Sequence, residues 1–202
     1  MTQQTESTQK NWANPTPAGL TALAMACYCF FALLTGKVTP NALMLLGIWL
    51  LGGFIVQLAV GLIDLKNQNI SGGNAFLYFC AFFMFVSGAS FIVKHVCMVH
   101  NVPLDARIDG WAWLALTLAT YIFTPAFLKA PKALFFVLLF LDIALPFITL
   151  RDMQVLTQSW SAIIPAYSLL CSGTIAIYLA GALMMNSVFG KTVLPVGKPF
   201  IS

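Results

Sequence analysis

The sequence predicts an all-α integral membrane protein, folded as a bundle of six transmembrane helices. Of its 202 residues, 60% are hydrophobic and only 8% are charged, and the mean hydropathy is +0.89. A chain with so few polar residues cannot coat a soluble globule. It also contains six apolar runs, each close to the roughly 20 residues that cross about 30 Å of hydrocarbon.

The apolar runs divide the chain into three parts: a polar N-terminal leader (1–13), a six-helix transmembrane domain (14–186) and a C-terminal tail (187–202). The predicted spans are 17–35, 42–63, 74–93, 111–128, 133–150 and 161–185. Turn residues or charges separate them at 36–41, 64–73, 94–110, 129–132 and 151–160. The leader is polar and the first run is long enough to remain, so no cleavable signal peptide is predicted.

An even number of spans places both termini on the same side of the membrane. That side carries six lysines, namely Lys10, Lys66, Lys129, Lys132, Lys191 and Lys198, and the other side carries Lys37, Lys94, Arg107 and Arg151. This excess predicts cytoplasmic termini and a multi-pass protein of the cell inner (plasma) membrane. Trp111, Trp113 and Trp160 begin spans from the opposite side, as in an interfacial aromatic belt. The net charge of +4 contains no basic run, which argues against nucleic-acid binding.

The segment 14–20 opens the first span. Pro15 and Pro17 cannot donate backbone hydrogen bonds, whereas Asn14 can accept one at the start of a helix. The segment is therefore either a capped helix start with proline in its first turn or a short non-helical stretch. A non-helical stretch is tolerated at the membrane only beside protein or a water-filled cavity.

The second and third spans carry two further patterns. Gly53, Gln57 and Gly61 recur every four residues, so a neighbouring backbone can approach one amide side chain. Gln57 then either forms a structural hydrogen bond between helices or serves as a hydrogen-bond donor along a pathway. The third span has an aromatic face, which is typical of packing more often than of a hydrophobic gate. Its residues are Phe76, Phe79, Phe82, Phe83 and Val86.

Hydroxyl groups form stripes at helical spacing in the fourth and sixth spans. The fourth-span stripe is Thr117, Thr120, Tyr121 and Thr124, and the sixth-span stripe is Tyr167, Cys171, Thr174 and Tyr178. Such stripes either bond helices together or line a pore. Beside the second stripe, the small residues Ser168, Ser172, Ala176 and Ala180 predict a close approach of two helices.

Asp142 is the only charge-capable residue deep in a predicted span. An acid at the bilayer centre costs roughly 2.5 to 3.5 kcal/mol on insertion scales. Such a group either marks a functional pathway or is a protonated acid bonded to a neighbouring hydroxyl or carbonyl.

No cofactor, metal site or catalytic group set is predicted. His95, Cys97 and His100 lie close together in a predicted loop, but three possible ligands without a fourth do not make a zinc site. The other four cysteines lie in apolar runs and are expected to behave as small hydrophobic residues. Without a nucleophile, base and metal together, the sequence does not support an enzyme.

Several motifs resemble the acetate uptake transporter family, whose bacterial members are succinate-acetate permeases. Asn14, Pro15, Pro17, Gly19 and Leu20 are similar to that family's opening Asn-Pro-Ala-Pro-Leu-Gly-Leu motif. The pattern of the family's second span, loop and third span is matched, in the same order, by Gly53, Gln57, Gly61, Asp64, Asn69, Ala75 and Phe76. The run Phe-Gly-Lys-Thr-Val-Leu-Pro-Val-Gly at 189–197 matches its C-terminal signature. The resemblance covers almost the whole chain and is loosest over 94–110.

The resemblance implies a homohexameric ring of six-helix protomers, each with its own pore for acetate, similar short carboxylates and in some members succinate. Both proton-coupled uptake and anion-channel behaviour are attributed to the family. A substrate pathway is implied at Asn14, Pro15, Pro17, Gly19, Gln57 and Asn69, without a cofactor. The bilayer blocks a carboxylate because desolvating the ion costs of order 20 kcal/mol in the idealised Born limit, so a lined path suits this chemistry.

The resemblance also places a pore constriction at Leu23, Phe79 and Leu141, where similar proteins have a Phe, a Tyr and a Leu. A register slip of one residue would put Tyr78 in the tyrosine position. Asp142 has no acidic counterpart in the family pattern and lies beside the constriction. We therefore expect Asp142 to exchange a proton and to set the response to pH.

Two other functions fit parts of the pattern. A proton-gated urea or short-amide channel also uses six spans in a hexameric ring, but its neutral substrate does not respond to membrane potential. A non-transporting membrane sensor of acetate would signal through its termini, for which the short tail offers no signalling domain.

Overall fold

A computed structural model describes residues 12–201, which form helices joined by short connections. The helices are α1 (Thr16–Leu34), α2 (Leu43–Lys66), α3 (Ile70–Tyr78), α4 (Ser87–His100), α5 (Arg107–Phe123), α6 (Lys132–Asp152) and α7 (Trp160–Phe189). A π-helical segment, Phe79–Val86, joins α3 to α4, and the 3₁₀ turns Pro40–Ala42 and Thr124–Lys129 precede α2 and extend α5. Most of the predicted leader, including Lys10, lies outside the described residues.

Within residues 12–201, six continuous helical stretches are long and apolar enough to cross a membrane. The predicted all-α, six-span membrane fold is therefore confirmed. Successive spans run in opposite directions, so the α2–α3 and α5–α6 connections lie at one end of the bundle. The α4–α5 and α6–α7 connections lie at the other end.

Helix α7 lies at the centre of the packing, against α1 and α6. Its small-residue ladder is confirmed as the close contact: Ser172 is buried and donates a hydrogen bond of 2.9 Å to the carbonyl of Val137 on α6. Beside it, a Cβ added to Gly173 would lie 2.8 Å from the Cβ of Cys27 on α1. Small side chains thus allow van der Waals contact between backbones, which drives helix association in lipid.

The prediction of a single aromatic face on the third span is wrong for two of its residues. Phe76, Phe79 and Phe83 are buried, but Phe82 is 57% exposed and Val86 is 45% exposed. The reason is the π-helical segment, in which hydrogen bonds join residues five apart and the turn is wider than in an α-helix. Residues three apart, such as Phe79 and Phe82, then no longer share a face.

The hydroxyl stripe of the fourth span joins helices and does not line either cavity described below. The hydroxyls of Thr117 on α5 and Thr149 on α6 are hydrogen-bonded at 2.9 Å, and both side chains are buried. Tyr121 donates a hydrogen bond of 3.0 Å to the backbone carbonyl of Asp142. Trp113 is also buried, so the predicted aromatic belt is wrong for that residue.

The stripe on α7 lies on the outside of the protomer instead. Its four residues are exposed, and none lines either cavity: Tyr167, Cys171, Thr174 and Tyr178. Two of them nevertheless make local contacts. The hydroxyls of Thr174 and Tyr28 lie 3.3 Å apart, and Tyr178 donates a 2.8 Å hydrogen bond to the carbonyl of Pro195.

The predicted loop at 94–110 is largely helical. Helix α4 continues to His100 and ends at Asn101, which adopts a left-handed backbone conformation (φ 54°). His95 and Cys97 are therefore two residues apart on a helix and face different sides, so they do not converge on one ion. The true connection is 101–106, where the Arg107 guanidinium lowers the pKa of Asp105 to about 2.

The C-terminal tail is folded back on the bundle. The Asn186 side chain accepts hydrogen bonds from the backbone N–H groups of Val193 (2.7 Å) and Leu194 (3.0 Å) and donates one to the Leu194 carbonyl (2.8 Å). Further along, the Phe200 ring packs 5.2 Å from that of Phe135 on α6. The tail therefore docks beside the α5–α6 connection.

We expect Asn186→Ala to release this tail. The loss of three hydrogen bonds, each with a net contribution of about 1 kcal/mol but partly compensated by water, should speed trypsin cleavage after Lys191 by about tenfold. Limited proteolysis of detergent-purified protein measures this rate. Ser187→Ala, an exposed neighbour, is the control. Equal cleavage rates for the two variants would contradict the docking role of Asn186.

Candidate functional site

A cavity of about 340 Å³ lies in the half of the bundle next to the α2–α3 and α5–α6 connections. The start of α1, α2, α3, the π-helical segment, the turn after α5, and α6 and α7 all contribute to its wall. Most lining side chains are apolar. Its polar members are Asn14, Thr16, Gln57, Asp64, Asn69, Ser71 and Lys129. A few polar groups in an apolar wall are typical of sites for small ligands.

Asn14 lies at the start of α1, where its Oδ1 accepts a 3.0 Å hydrogen bond from the N–H of Thr16. The helix begins at Thr16, with Pro15 in the cap position and Pro17 in the first turn. The interpretation of segment 14–20 as a capped helix start placed Asn14 at the cap position. In the structure, Asn14 lies one residue before that position. Because its oxygen is bound to the backbone, its amide nitrogen is the group that can meet a ligand.

Most of the other members of the opening motif affect the cavity wall indirectly. Pro15, Pro17 and Gly19 do not line the cavity, whereas Thr16 and Leu20 do. The two prolines fix the start of the helix. Gly19 leaves room for an aromatic side chain, because a Cβ there would lie 2.5 Å from the ring of Phe76.

Gln57 is the most deeply buried amide of the cavity, with 1% of its surface exposed. Its Nε2 donates a 3.3 Å hydrogen bond to the carbonyl of Gly19, so it bridges α2 and α1 as one of the two interpretations predicted. Its Oε1 has no hydrogen-bond partner among residues 12–201. An amide has two N–H donors, so one remains for a molecule in the cavity.

Asn69 is held between an acid and the start of α3. Its Nδ2 donates a 3.1 Å hydrogen bond to Oδ2 of Asp64, and its Oδ1 accepts one of 3.2 Å from the N–H of Gly72. Asp64 is 2% exposed and also lines the cavity. From the sequence, Asp64 was identified only as a motif position and not as a wall residue. The signal was an acid at the end of an apolar run, five residues before an asparagine cap.

The three positions expected at the constriction lie together in the same cavity. Leu23, Phe79 and Leu141 all line it, and all three are buried. Tyr78 does not line it; its ring packs 4.6 Å from Phe79 and 5.6 Å from Phe123. The wall position is therefore held by Phe79, which has no hydroxyl, and not by Tyr78.

Asp142 lies next to Leu141 but lines neither of the two cavities. Its Oδ1 is buried without a hydrogen-bond partner among residues 12–201, and so are the hydroxyl oxygens of Tyr78 and Thr124. The Thr124 hydroxyl approaches the Asp142 carboxyl without completing a hydrogen bond. The acid thus sits behind the cavity wall, among polar groups of neighbouring elements.

A second cavity, of about 130 Å³, lies near the opposite end of the bundle. Its polar rim contains Lys94 and Asp109, which form a 2.8 Å ion pair. Ser90 donates a 2.6 Å hydrogen bond to the same carboxylate. Arg151 and Asp152 complete the charged rim. This cavity was not predicted from the sequence, although its charged residues flank the third, fourth and fifth predicted spans.

The family of the chain follows from a match that covers nearly all of it. The model of the GPR1/FUN34/yaaH family matches residues 1–197. The chain belongs to this family. The resemblance predicted from the motifs is therefore confirmed.

Two similar proteins and one solved structure extend this result. The chain is 28% identical over 190 residues to the "Succinate-acetate/proton symporter SatP" of Escherichia coli, covering 92% of the chain and 96% of the relative. It is 27% identical over 169 residues to the "Glyoxylate pathway regulator" of Yarrowia lipolytica, covering 78% of the chain but only 61% of that relative. The solved "Structure of the bacterial acetate channel SatP" aligns with a TM-score of 0.73 and 24% identity, covering 92% of this chain and 99% of that one. That likeness confirms the fold.

Proposed function

We propose that this protein is a transmembrane channel or transporter for acetate and similar short carboxylates, with succinate as a larger substrate. The proposal is supported by the cavity of about 340 Å³, whose wall contains the polar residues Asn14, Gln57, Asn69 and Lys129 and the apolar residues Leu23, Phe79 and Leu141. The names of its full-length bacterial relatives agree with this substrate class. No enzymatic activity is proposed.

The cavity suits an anion that must lose water. Amide N–H groups from Asn14, Gln57 and Asn69 can replace part of the hydration shell of a carboxylate, and Lys129 adds a positive charge at the wall. Since a water molecule takes up about 30 Å³, the volume admits a two-carbon anion together with several waters. Neutral donors bind such an ion without trapping it, which conduction requires.

The roles of the remaining residues follow from their positions. Leu23, Phe79 and Leu141 form an apolar narrowing that excludes bulk water. Pro15, Pro17 and Gly19 act indirectly, because they set the start of α1 and the position of the Phe76 ring.

We place this six-span protein in the plasma membrane with cytoplasmic termini, so that the larger cavity faces the cytoplasm. We further propose that it assembles as a homohexamer with one pore per protomer. The exposed hydroxyl stripe on α7 supports assembly, because polar groups facing lipid are costly unless covered. Mass measurement of the detergent-purified protein by light scattering should give six copies, whereas a monomer would contradict this assembly.

The direct test is uptake of radiolabelled acetate by purified protein in liposomes, with a pH gradient imposed and then collapsed. Uptake above that of protein-free liposomes is the signal, because neutral acetic acid crosses lipid unaided. Protein-dependent uptake that responds to membrane potential identifies an anion channel, and protein-dependent uptake that follows the pH gradient identifies proton coupling. Flux of urea or acetamide without acetate flux would instead support the amide-channel alternative. Acetate binding without any flux would support a sensor.

Asp142 is our candidate for the response to pH, because an acid within a span whose Oδ1 has no hydrogen-bond partner among residues 12–201 can take up and release a proton. We expect Asp142→Asn to bring the ratio of acetate uptake at acidic and neutral pH to about one, since asparagine does not titrate. Asp105→Asn is the control: the pKa of Asp105 is about 2, so this exposed acid stays charged over the tested range. An unchanged pH profile in Asp142→Asn would eliminate the role.

A further inference from the structure

The two cavities lie along the same pair of helices. On α1, Leu23 lines the larger cavity and Phe30 lines the smaller one. On α6, Leu141 lines the larger cavity and Ile148 the smaller. Each pair is seven residues apart, which is about 10 Å along a helix that rises 1.5 Å per residue. The two cavities therefore follow one another along α1 and α6, and about 10 Å of buried side chains, called the neck below, lies between them.

The side chain of Phe83 fills this neck. It is 0% exposed and lines neither cavity. Its ring centroid lies 5.7 Å from that of Phe79, which lines the larger cavity. On the other side, it lies 5.3 Å from Phe30 and 5.8 Å from Trp113, which line the smaller cavity. One aromatic ring thus touches the last side chains of both cavities.

Phe83 belongs to the π-helical segment Phe79–Val86. π-helical turns are rare and recur at functional sites. Here the winding places Phe79, Cys80, Phe83 and Met84 together on the buried side. The Ser87 hydroxyl also donates a 3.0 Å hydrogen bond to the carbonyl of Phe82. A return of this segment to α-helical winding would rotate Phe83 relative to Phe79 and move its ring.

We propose that Phe83 is a gate between the two cavities, distinct from the narrowing at Leu23, Phe79 and Leu141. In this conformation its ring closes the path, and a carboxylate passes only when the ring moves aside. The anion therefore has two binding positions, one in each cavity on either side of Phe83. This inference rests on the proposed function for the identity of the permeating molecule, but not for the closure itself.

Closure can be tested without any transport substrate. Ser71 lines the larger cavity and Ser90 the smaller, so Ser71→Cys and Ser90→Cys are conservative reporters. Cys29, Cys97 and Cys171, which are not fully buried, are first replaced by serine. A charged methanethiosulfonate reagent is then added to one side of oriented vesicles. Each reporter should react from its own side. In a Leu23→Ala background, which opens the proposed narrowing, Phe83→Ala should raise the reaction rate from the far side by about tenfold.

Flux measurements provide a second test of the gate. In liposomes, Phe83→Ala should raise acetate flux several-fold and should admit butyrate, because removal of the ring widens the neck. Phe85→Ala is the matched control, since Phe85 belongs to the same segment but packs against Phe54 (4.9 Å) and lines neither cavity. Deleting a buried ring can destabilise the bundle, so Phe83→Leu is measured as well, and thermal unfolding verifies that each variant is folded.

The outcomes separate the two proposals. Far-side labelling in Phe83→Ala or Phe83→Leu, together with no acetate flux in any variant, would keep the gate and reject the proposed function. Acetate flux in the wild type, with far-side labelling and butyrate flux unchanged in a folded Phe83→Ala, would reject the gate and keep the function. Far-side labelling that is already fast in the wild type would also overturn the gate.

Discussion

Replacing Gln57 with leucine is expected to reduce acetate flux by about ten- to a hundredfold. Leucine keeps most of the side-chain volume but removes the amide of Gln57, which is 1% exposed, lines the cavity and donates a hydrogen bond to the Gly19 carbonyl. A hydrogen bond to a charged group contributes about 1.5 to 3 kcal/mol, and 1.4 kcal/mol is a factor of about ten. Initial rates of radiolabelled acetate uptake in liposomes measure the change.

Two further variants make this result specific. Asn74→Leu removes an amide that faces outward from α3 and donates to its own helix at Ile70, so its flux should equal that of the wild type. Gln57→Glu introduces a like charge and should abolish flux. If Gln57→Leu carries acetate at the wild-type rate, Gln57 is a structural bond between helices and not a pathway group.

Gly47→Val should have the largest effect on stability. A Cβ at Gly47 would lie 2.6 Å from the backbone carbonyl of Gly88 on α4, and a Cβ at Gly88 would lie 2.9 Å from the carbonyl of Gly47. Since a backbone cannot move aside like a flexible side chain, the added methyl groups should force α2 and α4 apart. Overpacking costs typically 1 to 3 kcal/mol and occasionally more, and we expect about 3 kcal/mol here.

Thermal unfolding in detergent measures this loss, which corresponds to a melting temperature about 10 °C lower for a chain of this size. Gly52→Val is the matched control on the same helix, because nothing lies within 4 Å of a Cβ at Gly52. Equal melting temperatures for the two variants would show that the crossing of α2 and α4 does not depend on Gly47.

The membrane fold could be predicted from the sequence because the lengths of the apolar runs are sufficient to identify transmembrane helices. The number of spans and the ladder at Ser168, Ser172, Ala176 and Ala180 follow from hydropathy and from a period close to 3.6. The π-helical segment could not be predicted in this way. Its altered winding is the reason that Phe82 lies outside while Phe83 lies inside, although both fit the same α-helical face.

The larger cavity could be predicted in part. The motif placed Asn14, Gln57 and Asn69 on one path, and all three line the same cavity. Asp64 and Lys129 were missed as wall residues because each lies in the last turn of a helical segment, where charges are expected for other reasons. The smaller cavity depends on contacts between the ends of three spans, and such contacts leave no local pattern in a sequence.

We expect the larger cavity to bind a short carboxylate. A pair of experimental structures, one with acetate and one without, tests this binding. We predict difference density for a carboxylate inside the cavity, within hydrogen-bond distance of the Gln57 amide. Acetate density found only outside the bundle, or identical water density in the cavity of both structures, would contradict it.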